Sequence, residues 1–219
     1  MTHTASANWR PQSAPAPRPV RMRPRRSEQP WMKVLVWLYG ILSIVMVPVV
    51  TIVLGANGDP LTVSLSEIGN RPGMRPIFIV WTLAIGAYFT SIVFTLVMLT
   101  RNTEANTLHT MIAISMLALL IVNLIPFMPD RWPVLAGIHI RGALVTALML
   151  AATLLMLTLT FRKHYPQIFR KALIWLVILF ACEVILYVTF ATAWLTEAVG
   201  LIGGAVFLFA VLVELYKKT

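Results

Sequence analysis

Residues 33–54 read KVLVWLYGILSIVMVPVVTIVL. Past the opening lysine the stretch carries no charge, and its apolar character is continuous rather than alternating. About 20 such residues, at about 1.5 Å per residue in a helix, cross a hydrocarbon core of about 30 Å. A barrel strand would alternate with period two. A helix pairs its backbone N–H and C=O groups within its own segment, as lipid demands. The stretch therefore predicts a transmembrane helix, and five more of its kind follow, at about 76–99, 108–127, 134–161, 172–192 and 197–216. The expected fold is all-α: a polytopic membrane protein with a six-transmembrane-helix bundle over residues 31–219.

The composition agrees. Hydrophobic residues make up 58% of the 219 and charged residues 12%, about half the charge of an ordinary soluble domain. The net charge of +10 raises the question of a nucleic-acid partner, and its placement argues against one. Arg10, Arg18, Arg21, Arg23, Arg25 and Arg26 lie in residues 1–30, a stretch rich in Pro, Ala, Ser and Arg. Such a segment buries too little apolar surface to offset its chain entropy and is expected to be a disordered cytoplasmic tail. The apolar run after it is too long for a signal-peptide core.

With that tail inside, the inner side also holds Lys33, Arg101, Arg162, Lys163, Arg170, Lys171, Lys217 and Lys218, fourteen of the eighteen basic residues in all. Arg71, Arg75, Arg131 and Arg141 fall outside. The positive-inside rule then predicts a plasma-membrane protein with both termini cytoplasmic. The single cysteine, Cys182, allows no intrachain disulfide and reads as a small buried apolar residue. No internal repeat is visible.

Organised polarity gathers on the outer side. The loop GANGDPLTVSLSEIGNRPGMRP (55–76) is the longest connection between spans. Its LTVSLSEIG is patterned to form a short element lying on the bundle, as binding loops often are. The second outer stretch is NLIPFMPDRWPVLAGIHIRG (123–142), where Pro126, Pro129 and Pro133 end one helix and stiffen the turn. The candidate outer polar site is Ser66, Glu67, Arg71, Asn123, Asp130, His139 and Arg141. His139 and Arg141, two apart on a helix, point about 200° away from one another, so one is expected to face the bundle and the other to reach outward.

SLSEIG before the second span, LIPFMPD after the third, and His139 opening the fourth together resemble domain-of-unknown-function family 998, small bacterial six-helix membrane proteins distantly like the Frag/DRAM/Sfk type. The resemblance covers about residues 33–216. It implies the six-helix fold and an outer site, and it implies neither a reaction nor a cofactor.

The histidines do not read as haem ligands. His139 is placed near the outer face and His109 near the inner, whereas axial ligands must meet at one depth. His139 with Glu67 and Asp130 has the chemistry of a zinc site, yet the spacing carries no metal signature. A hydrogen-bonded structural histidine is the expectation, with no metal and no cofactor. Glu183 falls near mid-span in LFACEVILYV, where a carboxylate costs a few kcal/mol on insertion scales. It is expected to face the bundle and bond Tyr187, one turn on, or a hydroxyl of a neighbouring helix. Gly200 and Gly204 form a GxxxG pair for close helix packing, and Glu214 is expected to reach Lys217 or Lys218.

No nucleophile elbow accompanies Ser64, Ser66 and His139. Three functions remain open. The first is a non-enzymatic module binding membrane lipids, another membrane protein or a second copy of itself. The second is a small transporter or channel using Glu183. The third is an intramembrane enzyme acting on a lipid head group through His139 and Glu67. The first is favoured because the polar groups are few and suit loop anchoring.

Overall fold

The computed structural model describes residues 30–100, 105–191 and 193–218. The expectations for the tail and for Arg101 lie outside these residues. Among them every regular element is helical: α1 (Pro30–Ile41), a π-helical segment (Leu42–Met46), α2 (Val47–Gly55), α3 (Leu65–Gly69), α4 (Arg75–Thr100), α5 (Ala105–Leu124), α6 (Pro133–His164), α7 (Pro166–Phe190) and α8 (Trp194–Tyr216). Six helices are long and apolar enough to cross a membrane, the first being the continuous run Pro30–Gly55. Pro30 and Tyr216 consequently share one end of the bundle. The opposite, distal end carries α3 and the α5–α6 and α7–α8 turns.

Proline sets several boundaries. Pro48 has no N–H to give the preceding turn and its ring crowds a carbonyl there. The helix widens just before it, and the Val47 amide reaches five residues back to the Leu42 carbonyl. The third span ends at Leu124 rather than Phe127, because Pro126 disfavours a helical residue before it. Residues 162–171, RKHYPQIFRK, between the spans expected at 134–161 and 172–192, are helical except at Tyr165. Arg162, Lys163 and His164 form the last turn of α6, where unpaired carbonyls favour cations. Pro166 opens α7 at a position that needs no N–H.

Helix α8 is the hub, packing against α1, the π segment, α2, α4 and α7, while α4, α5, α6 and α7 follow one another around it. Its glycines permit this. A Cβ on Gly204 would stand 3.3 Å from the Phe89 ring on α4, and one on Gly200 would stand 3.0 Å from Glu183 Oε1 on α7. The GxxxG pair thus packs within the bundle. Midway along it, the Ser43 hydroxyl donates to the Tyr39 carbonyl at 2.6 Å and meets the Tyr88 hydroxyl at 2.5 Å, and Tyr88 donates to the Ala205 carbonyl at 3.2 Å. These bonds tie the first span, α4 and α8 where side chains find no water.

The outside of the bundle is apolar. Trp37, Val80, Leu148 and Val188 are among many large hydrophobic side chains that face outward, a surface that belongs in lipid. Helix α7 is the most outward-facing span, burying only Ile168, Ala172 and Leu176. Cys182 lies on it and is exposed, not buried as expected. At the chain-end side Glu214 pairs with Lys171 at 3.3 Å rather than with Lys217 or Lys218, and Lys218 instead bonds Gln167 at 3.1 Å.

Candidate functional site

The long distal loop is folded by its own polar groups. Asp59 accepts from the Leu61 amide at 2.9 Å and the Thr62 hydroxyl at 3.1 Å, an Asx-type turn. The Leu61 amide, and after it the Thr62 hydroxyl, hold the Asp59 carboxyl below its ordinary value. The loop is then pinned to the start of α8. The Trp194 amide donates to Val63 O at 2.7 Å, the Leu195 amide to Pro60 O at 3.2 Å, and the Trp194 indole to Gly58 O at 3.2 Å.

Helix α3 forms over this anchor. Ser64 caps it, its hydroxyl accepting from the Glu67 amide at 3.0 Å. The Leu65 amide donates to Glu197 Oε2 on α8 at 2.7 Å. Below these polar contacts Leu65 and Ile68 are buried. At its other end the Asn70 side-chain amide donates to Ser66 O at 2.6 Å, and Arg75 bridges Asn70 Oδ1 to the Leu124 carbonyl, the latter at 2.7 Å. Arg75 thereby links the loop to the end of α5.

His139, in the second turn of α6, is buried at 4% exposure. Its Nδ1 lies 3.0 Å from the Ile125 carbonyl. A carbonyl only accepts, so Nδ1 carries the proton, and the neutral ring keeps an unprotonated Nε2. The Phe127 ring sits 5.4 Å from the imidazole. Ser64, Ser66, Phe127, His139, Ile140, Ala143 and Glu197 line a single cavity of about 10 Å³, the space of roughly one water molecule.

Of the seven residues of the candidate outer polar site, Ser66 and His139 meet at this cavity. Glu67 does not line it; Glu197 supplies the carboxylate instead. Asn123 is buried at the end of α5 outside the cavity wall, and Asp130 and Arg141 are exposed. His139 and Arg141 therefore diverge as their spacing requires. Arg71 donates to the Asn57 carbonyl within the loop. Glu197 stands at the start of the sixth span and shares no local sequence pattern with Ser66 or His139. The Ser-x-x-Glu spacing of Ser64 and Glu67 is a helix-start signal that marks where α3 begins.

Glu183 faces α8 at Gly200, half-buried, and its Oε1 is enclosed with no hydrogen-bond partner. The bond to Tyr187 is not made, and Tyr187 is exposed. His109 stacks on Phe94, ring centroids 3.8 Å apart, far from His139 along the sequence and at the other end of the spans. Among the described residues no three His, Cys, Asp or Glu side chains come together as a metal site. No family model matches the chain, and neither does any curated protein or solved structure.

Proposed function

We propose that this chain is a non-enzymatic lipid-binding module of the plasma membrane, with both ends cytoplasmic and the distal polar site facing outward. The observation that carries the reading is an open groove of about 540 Å³ between α1 and α4, walled by Leu35, Tyr39, Phe94 and Thr95 over a floor of Gly86 and Ala87. The groove is shallow and open along the bundle surface, a shape along which a chain could lie. Of its four hydroxyls, on Tyr39, Thr90, Ser91 and Thr95, three are engaged. Ser91 donates to Tyr88 O at 2.9 Å, Thr95 donates to Ser91 O at 2.9 Å, and Tyr39 meets Thr95 at 3.0 Å. A groove with most of its hydroxyls satisfied, cut into a membrane-facing surface, offers mainly hydrocarbon and suits an acyl chain. The distal cavity is too small for a scissile ester, which favours binding over catalysis.

The orientation is supported by Lys33, Arg162, Lys163, Arg170, Lys171, Lys217 and Lys218 at the chain-end side. Native mass spectrometry of the protein in mild detergent tests the reading. Co-purifying lipid is expected, and Ala87→Trp, which fills the groove, should release it without changing the melting temperature. Lipid absent from the wild type, or fully retained by Ala87→Trp, would sink the groove as its site. Single cysteines at Thr62 and Lys218, in a Cys182→Ser background, test the orientation: only the first should react with an impermeant reagent on intact cells.

A further inference from the structure

Two carboxylates at the distal half of the bundle have no basic partner. Glu197 lies in the first turn of α8, and Gly200, three residues on, shares its face. Glu183 stands against that glycine, within 3.0 Å of where a Cβ would be. The one ion pair among the described residues, Lys171 with Glu214, is at the other end of the bundle. Arg75, at the distal end, is engaged with Asn70 and the Leu124 carbonyl. Neither carboxyl group has a cationic partner among the described residues.

The cavity beside Glu197 points independently to a ligand. Ser66 lines it at 8% exposure, and its hydroxyl makes no hydrogen bond among the described residues. His139 lines it with the proton held on Nδ1 by Ile125 O, which leaves Nε2 as an acceptor. Glu197 spends Oε2 on the Leu65 amide, which leaves Oε1. The wall therefore combines a histidine, a glutamate and a serine side chain, all able to accept hydrogen bonds, with the Phe127 ring beside them. Such a set calls for a small, positively charged donor.

We propose that this cavity binds a primary ammonium group. An –NH₃⁺ is about as large as the water-sized space of about 10 Å³, and its three N–H donors match three acceptors. An aromatic ring at the wall favours a cation further. A trimethylated ammonium is too bulky and has no N–H. An ethanolamine phospholipid and a free amine both carry the group. The lipid source rests on the lipid-binding reading above; the ammonium chemistry does not.

The full-length protein in detergent is titrated with phosphatidylethanolamine, with its N-methylated analogues up to phosphatidylcholine, and with free ethanolamine, read by thermal shift and native mass spectrometry. Phosphatidylethanolamine should be held at least about tenfold more tightly than phosphatidylcholine. Ser66→Ala should reduce that preference by about tenfold, the usual effect of losing one hydrogen bond to a charged group. Glu197→Gln should reduce it further, since the amide oxygen still caps α3 while the charge is gone. Free ethanolamine shifting the melting temperature as strongly as the lipid would overturn the lipid source and uphold the ammonium site. Equal retention of the two lipids, a preference unchanged in both variants, or protection by Zn²⁺ or Ca²⁺ in place of amines would each overturn the site. Absence of every lipid with a persistent ethanolamine shift would instead fail the lipid-binding reading alone.

Discussion

The carboxylate of Glu197 on α8 accepts a hydrogen bond from the amide of Leu65 on α3 at 2.7 Å, across 132 positions of the chain. Leu65 opens a five-residue helix, and the first amides of any helix have no intrahelical partner. Ser64 satisfies the Glu67 amide and Glu197 satisfies that of Leu65. A helix so short does not hold itself in water. It persists because Glu197 ties it to α8 while the buried Leu65 packs with Leu54 of α2 and Phe78 of α4. The same glutamate thus builds the lid of the distal cavity and lines its wall.

Glu197→Ala leaves the Leu65 amide without an acceptor, at an expected cost of about 1–3 kcal/mol. Hydrogen exchange should quicken across residues 64–70 and stay unchanged in α6, whereas Glu197→Gln should keep most of the protection. Unaltered exchange in Glu197→Ala would mean that the Trp194 contacts alone hold α3.

Two glycines should respond to alanine in opposite directions. A Cβ on Gly69 would run into the Phe78 side chain, whose own Cβ would be 2.9 Å away. Gly69→Ala should therefore destabilise by about 1–3 kcal/mol. At Gly137, inside α6, nothing lies within 4 Å of the added methyl. Gly137→Ala should be neutral or stabilising by up to about 1 kcal/mol, through helix propensity. Thermal unfolding in detergent compares them, and equal melting temperatures would contradict the packing at Gly69.

The spans were legible because lipid removes alternatives. A continuous apolar run such as 33–54 has one acceptable backbone, and prolines such as Pro126 mark its ends. His139 was also legible, as a polar residue in an apolar helix start. The carboxylate partner was not. Glu67 sits next to Ser66 in sequence, but its side chain leaves the cavity, and Glu197 arrives from a helix more than a hundred residues later. That pairing is a property of how α8 docks under the loop, and no local pattern encodes it. Cys182 and Tyr187 were misplaced for a related reason. On an all-apolar helix, periodicity does not distinguish the lipid-facing side from the packed one, and α7 turns most of its surface outward.

Asp59 gives a pH dependence whose sign follows from its turn. Hydrogen bonds from Leu61 and Thr62 lower its folded-state value below the unfolded carboxyl value of 3.8. The turn's contribution is therefore fully present above that value and lost as pH falls through the lowered one. Backbone exchange at residues 59–63 should accelerate below about pH 4 in the wild type. Asp59→Asn should flatten that response, and a wild-type loop insensitive to acid would refute the assignment.

Glu183 should behave in the opposite way to Glu197. Its Oε1 is enclosed and unpartnered, so the folded protein bears the cost of desolvating it without a compensating bond. Met has similar length and no polar oxygen, and it fits beside Gly200 with little rearrangement. Glu183→Met should therefore raise the melting temperature of the ligand-free protein, by an equivalent of about 1–3 kcal/mol. The same change removes a carboxyl group that stands against Gly200, one turn from Glu197, and should weaken the thermal shift produced by ethanolamine. A variant that melts lower than the wild type without ligand would show that this carboxylate has a bound partner, and the site would then extend from Glu197 down to Glu183.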